Sequence, residues 1–224
     1  MTGSAQPSLA LETGEPAASD WRWQPVPELL AEITAPAGGP GRVVVGVDGR
    51  QGSGKTTLAH ALAESVPFGH VVHTDDVAWW HGFFTWERLL IDGILTPFIA
   101  GGAVDFRPPA WAERGREGSI SVPAQTRLLV VEGVGAGRAE LRDRMAATVW
   151  VQADRHEARR RGLERDGNSP EAIAFWDEWA AAELEFLAHE RPWALADAVV
   201  CGTPTLLGHA HRPAAPSILR GSLQ

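Results

Sequence analysis

The chain has 224 residues, enough for one α/β domain with a substantial core. Its net charge of −8 argues against a general nucleic-acid binder, which carries a basic surface, and its single cysteine, Cys201, excludes an intrachain disulfide and fits a reducing cytosol. No apolar run approaches the roughly 18 residues of a membrane span, and no basic start followed by an apolar stretch marks the N-terminus as a secretion signal.

Residues 1–19, "MTGSAQPSLALETGEPAAS", have no hydrophobic period and are rich in Gly, Pro, Ser and Ala, so a disordered tail is expected before a domain spanning 20–208. Residues 209–224 read as a second, flexible tail. The first strong element is the run "RVVVGV" (42–47), a buried strand. It leads into "VDGRQGSGKTT" and a helix over 55–65. Gly49, four residues, then Gly54-Lys55-Thr56 is the G-x-x-x-x-G-K-[ST] spacing of a phosphate-cradling loop. Gly49, Gly52, Ser53, Gly54 and the start of the helix, through Thr57, would converge backbone N–H groups on an anion. Lys55 would add a charge for the terminal phosphates, and Thr56 a hydroxyl for Mg²⁺. The plainer alternative, a flexible Gly/Ser turn with a chance lysine, fits poorly between a strand and a helix.

The second strand, "HVVHT" (70–74), ends in Asp75-Asp76. Adjacent acids at a strand end can supply a general base or hold a metal shell, and they can equally cap a helix. Trp79, Trp80, Trp86 and Trp111 follow, readable as core packing or as an aromatic wall for a substrate. A helix is expected over 86–100, a third strand over 127–133 ending at Glu132, and a helix over 138–145. Glu132 suits a metal-organising acid, although a solvated loop acid would read the same. Then come a strand at 147–153, helices at 155–165 and 170–189, and a strand at 197–202. Ser169 can cap the last helix, and Pro170 suits its first turn. Arginines 155, 159, 160, 161 and 165 lie in one helix, as a phosphate-closing lid or as a solvated face paired with Glu157 and Glu164. Continuous apolar strands alternating with helices predict a single α/β domain of about five parallel strands with helices on both faces and an arginine-rich lid. The ligand crevice would lie at the carboxyl ends of the strands.

On "GRQGSGKTT", "TDD", "VVEGVGAG" and "ADRHEARRRGLERDG", covering about residues 42–202, the chain resembles the uridine kinase-like group of P-loop nucleoside and small-molecule kinases. The resemblance implies ATP and Mg²⁺ as cofactors. It implies Asp75 as the base that takes the acceptor's proton, with Asp76 beside it, and Arg159 and Arg165 as lid residues on the ATP phosphates. Two departures stand out. Thr85 occupies a position where uridine kinases place an aspartate on the ribose, and Pro109-Ala110-Trp111 replaces a Y-D-W segment. Asp92 or Asp105 could take over the missing role.

These residues together predict a cytoplasmic kinase that transfers the γ-phosphoryl group to a hydroxyl of a small molecule. The catalytic set would be Lys55, Asp75, Arg159 and Arg165, with Thr56 and Glu132 at the metal and Asp76, Trp79, Thr85 and Trp111 around the acceptor. The acceptor is nucleoside-like by resemblance, or an antibiotic or another sugar-like alcohol. No nucleic-acid or membrane partner is expected. A nucleotide-hydrolysing switch or metallochaperone is the rival; the absence of an N-K-x-D guanine-reading segment and the arginine-rich helix favour the kinase.

Overall fold

The computed structural model describes residues 8–37, 41–209 and 213–223. In chain order its elements begin with β1 (Ala18–Pro25) and α1 (Val26–Thr34). The phosphate-loop unit follows, β2 (Val43–Gly49) and α2 (Lys55–Glu64), and then β3 (Gly69–His73) and the short α3 (Thr74–Ala78). Next comes a helical rod of α4 (Glu87–Leu90), a π-helical stretch (Ile91–Leu95) and α5 (Thr96–Ile99). The π-helical stretch stands directly before Thr96-Pro97, where proline can donate no backbone hydrogen bond to the preceding turn. A hairpin of β4 (Val104–Phe106) and β5 (Ile120–Val122) carries α6 (Pro109–Glu113) between its strands. The chain continues through β6 (Leu128–Glu132), β7 (Ala147–Gln152), α7 (Arg155–Asp166), α8 (Pro170–Glu190), α9 (Pro192–Leu195), β8 (Ala198–Cys201) and β9 (Ser217–Leu223). The helix expected over 138–145 is a 3₁₀ segment, Ala139–Arg144.

The main sheet has the order β1-β9-β8-β7-β2-β6-β3. β8, β7, β2, β6 and β3 are parallel, the five apolar runs of the sequence. β6 and β7 are buried along their whole length and β2 at all but its first residue, which is why they read as continuous hydrophobic runs rather than alternations. One face of the sheet packs on α1 and α2 through Leu29, Ile33, Leu58 and Leu62. The other face packs on the helical rod and the hairpin through Trp86, Leu90, Phe98 and Trp111, and on α8 and α9 through Leu187 and Trp193.

β9 and β1 add two antiparallel strands beyond β8. This corrects both expected tails. Ser217–Leu223 lies in the stretch read as flexible, yet it is held between β8 and β1. Residues 8–19 are likewise engaged: Glu15 is buried, and its carboxylate accepts from Arg50 Nε at 2.9 Å, Trp150 Nε1 at 2.8 Å and Gln152 Nε2 at 3.2 Å. The first seven residues of the expected N-terminal tail lie outside the described residues. Neither strand carries an apolar run in its sequence. β1 is an edge strand broken by an irregularity between Ser19 and Arg22, and β9 includes Arg220 and Gly221. Among the described residues no helix is long and apolar enough to cross a membrane.

Candidate active site

The turn from β2 to α2 is a cradle. Gly49, Gly52 and Gly54 all have positive φ (154°, 74° and 100°), and no side chain caps α2, so the N–H groups of its first turn are open. Gly52 is held to glycine by space as well as by φ, since a Cβ there would lie 2.1 Å from the carbonyl oxygen of Ala158 on α7. Ser53 Oγ is buried without a hydrogen-bond partner. Lys55 is buried, and its Nζ donates to the carbonyl oxygen of Arg50 at 3.0 Å across the loop. Thr56 and Thr57 are exposed at the helix start.

The loop is braced from three sides by groups that the sequence patterns did not mark. Asp48 is wholly buried, and its carboxylate accepts from the backbone N–H groups of Gly49 (2.7 Å), Gly135 (3.0 Å) and Gly137 (2.8 Å). Burial raises its pKa against those three donors. This one side chain ties the phosphate loop to the "GVGAG" loop after β6. Glu183 of α8, also buried, accepts from Gln51 N–H at 2.8 Å and lies 3.9 Å from Arg50 Nη1, while Glu15 holds Arg50 from the other side. Burial raises the Glu183 pKa.

At the neighbouring strand ends, Glu132 Oε1 accepts from Thr56 Oγ1 at 3.1 Å and lies 2.5 Å from His73 Nδ1. Burial works against the Glu132 charge, but the His73 hydrogen bond and the Lys55 charge outweigh it, and its pKa is lowered. The same hydrogen bond raises the His73 pKa against its own partial burial. His73 was not singled out in the sequence because a histidine inside an apolar run reads as a core residue. Asp75, at the first turn of α3, is exposed yet partly desolvated by the protein around it. That desolvation raises its pKa, opposed by the Lys55 and Arg165 charges and reinforced by Glu132. Lys55, Thr56, Glu132, His73, Asp75 and Arg165 therefore share one electrostatic neighbourhood.

A cleft of about 700 Å³ extends from this point, lined by Gly52, Gly54, Lys55, Thr56, Thr57, Arg161, Arg165 and the carboxyl end of β8. Arg161 belongs to the cleft although the sequence favoured its neighbours; it donates to the carbonyl oxygen of Gly202 at 2.9 Å and to Glu157. Arg159 is placed elsewhere. It pairs with Asp177 of α8 at 2.6 Å and does not line the cleft, because its helical position turns it toward the neighbouring helix.

The acceptor side also divides. Trp111 is a core residue, 5% exposed, whose indole donates to the carbonyl oxygen of Asp76 at 2.9 Å; it is not a pocket wall. Trp86 is buried likewise. The hairpin folds its α6 segment under the site and takes Trp111 into the core. Thr85 is exposed, its backbone N–H closing a turn onto Gly82. Asp76 forms an ion pair with Arg116 at 2.5 Å, and the guanidinium lies 3.5 Å from the Trp111 ring centroid and 5.3 Å from that of Trp79. Trp79 is half-buried and meets Trp80 edge to face. Asp92 and Asp105 are both exposed, and Asp105 bonds Ser119 within the hairpin. Cys201 is buried, and its thiol is pushed up to about 11 by that burial, as suits a core side chain.

A possible uridine kinase from Bacillus stearothermophilus superposes with a TM-score of 0.52, at 21% identity over 78% of this chain and 96% of that one. The protein YGR205w gives 0.52 at 12% identity, over 80% and 93%. The fold is that of a P-loop kinase domain. At these identities the likeness is one of fold. No family model matches the sequence, and no curated protein does.

Proposed function

We propose that this P-loop protein is a phosphotransferase moving the γ-phosphoryl group of ATP, with Mg²⁺, to a hydroxyl of a small molecule. The observation that carries this reading is the convergence of Lys55, the Thr56–Glu132 pair and Asp75 at the mouth of an open-ended glycine cradle. The residues fit the cofactors. The uncapped α2 N-terminus, Lys55 and the unpartnered Ser53 hydroxyl suit phosphate oxygens. Thr56 and Glu132 are oxygen donors of the kind Mg²⁺ takes in small number alongside nucleotide phosphates. Among the described residues no cluster of three His, Cys, Asp or Glu side chains could hold a metal by itself. When bound, Mg²⁺ would neutralise charge on the phosphates.

The protein's own part in the reaction is positional and electrostatic. Lys55 exchanges its bond to the Arg50 carbonyl for phosphate oxygens. Asp75 accepts the acceptor hydroxyl's proton, and its raised pKa suits a base that must hold that proton. Arg165 presents its guanidinium to the transferring oxygens, while Arg161, bonded to Glu157 and to the Gly202 carbonyl, lines the cleft beside it. His73 holds Glu132 in place for Thr56 and the metal.

For the acceptor, we infer an alcohol other than an unmodified ribonucleoside. Asp76 is already engaged by Arg116, and Thr85, which by resemblance takes the position of a ribose-binding aspartate, is exposed and carries no carboxylate. A screen for ADP release over nucleosides, sugars and antibiotics, with product mass, tests both statements. A phosphorylated non-nucleoside product that disappears in folded Lys55→Ala is the expected result. ADP release with no phosphorylated product under any condition would point to a nucleotide-hydrolysing switch. Efficient turnover of uridine or cytidine above every other alcohol would overturn the acceptor inference.

A further inference from the structure

A phosphate cradle holds only the charged end of a nucleotide, so the base needs a seat of its own. The cleft that opens at Lys55 and Thr56 is also lined by Trp23, Pro204 and Leu219 beyond the end of β8. Trp23 arrives from β1, where it stands opposite Leu219 of β9. It is half-buried. His209 meets its ring edge-on, 6.2 Å between centroids at 84°, which restrains the plane of the indole. The polar side chains nearby are committed or enclosed: Arg161 is bonded to Glu157 and to the Gly202 carbonyl, and Ser217 is buried.

We propose that Trp23 is the platform on which the base of the donor nucleotide stacks, so that the base is recognised by its flat face more than by its edge. This rests on the donor-nucleotide reading above and extends it to an element outside the five-stranded parallel sheet. Stacking on an aromatic ring tolerates different bases, because every base has a π-face. ATP and GTP should therefore depend on Trp23 alike, whereas a ligand made of phosphates alone should not depend on it.

The test is calorimetric binding of ATP, GTP and inorganic tripolyphosphate, each with Mg²⁺ and no acceptor, to the full chain and to its Trp23→Ala, Trp23→Leu, Trp23→Phe and Lys55→Ala variants. Trp23→Ala should weaken ATP and GTP about tenfold or more, the effect of losing one base–aromatic stack, and leave tripolyphosphate unchanged. Trp23→Leu keeps apolar bulk without a π-face and should show the same loss; it carries the test if Trp23→Ala does not fold. Trp23→Phe should retain most of the affinity. Lys55→Ala should weaken all three ligands. Wild-type affinity for ATP in folded Trp23→Leu overturns the platform, and so does parallel loss of tripolyphosphate, since Trp23 would then act through the fold. Loss of ATP binding with GTP untouched overturns recognition by face. Failure of the wild-type protein to bind any of the three overturns the donor-nucleotide reading itself.

Discussion

The two acids of the candidate site, Asp75 and Glu132, are shifted in opposite directions. Asp75 has a raised pKa through desolvation, so ionising it costs folding free energy above its unfolded value of about 3.9. Asp75→Asn should remove that cost: its melting temperature at pH 7 should exceed that of the wild type, and the two curves should converge below about pH 4. The same variant should lose about 10²- to 10⁴-fold in turnover while still binding ATP. A variant as active as the wild type would remove Asp75 from the base role. Glu132 is held low and His73 is held high by their shared hydrogen bond. The His73 contribution is complete below its unfolded pKa of about 6.5 and is lost as pH rises through its higher folded value; the Glu132 contribution is lost as pH falls below about 4.3. Melting curves of wild type and His73→Asn should therefore differ most between these limits and close at either side. A gap independent of pH would mean that His73 acts by packing alone.

Among the elements, the lid decides which arginines can act. α7 is capped by Asp154, which accepts from His156 and Glu157 N–H, and α8 by Ser169, which accepts from Ala172 N–H, the cap expected from the sequence. The two helices meet at Gly162, where a Cβ would lie 2.0 Å from the Trp176 ring. That close packing fixes the rotation of α7 and so turns Arg161 and Arg165 to the cleft and Arg159 to Asp177. Arg165→Lys retains charge but loses the planar fork, and should lower the rate with little change in melting temperature. Arg159→Lys should leave the rate near that of the wild type, since its partner is an exposed aspartate on α8. A larger rate loss in Arg159→Lys than in Arg165→Lys would mean that the lid rearranges when nucleotide binds.

Over the whole molecule, the phosphate loop is not self-supporting. Arg50, inside the loop, is buried between Glu15 from the N-terminal segment and Glu183 from α8. Breaking a buried ion pair from one side costs about 3–5 kcal/mol, because a charge is left without its partner. Glu15→Ala should therefore destabilise the fold by that order in denaturant melts, and it also strips an acceptor from Trp150 and Gln152. A loss near zero would show that water replaces Glu15 and that residues 8–17 are dispensable to the loop.

The chain's local chemistry determined a great deal. Five parallel strands were legible because strands buried on both faces are written as uninterrupted apolar runs, and the glycine cradle with Lys55 and Thr56 was legible because its spacing is set by backbone geometry within eight residues. Tertiary structure decided what depends on partners distant in sequence. β1 and β9 carry no run of their own and exist because each pairs with the other near the far end of the chain. Glu15 reads as part of a tail until Arg50, Trp150 and Gln152 are brought to it. Trp23 and Trp111 are the same residue type, yet one lines the cleft and the other fills the core. A tryptophan's composition and spacing do not fix which way its ring is taken; the packing of the sheet edge and of the hairpin does.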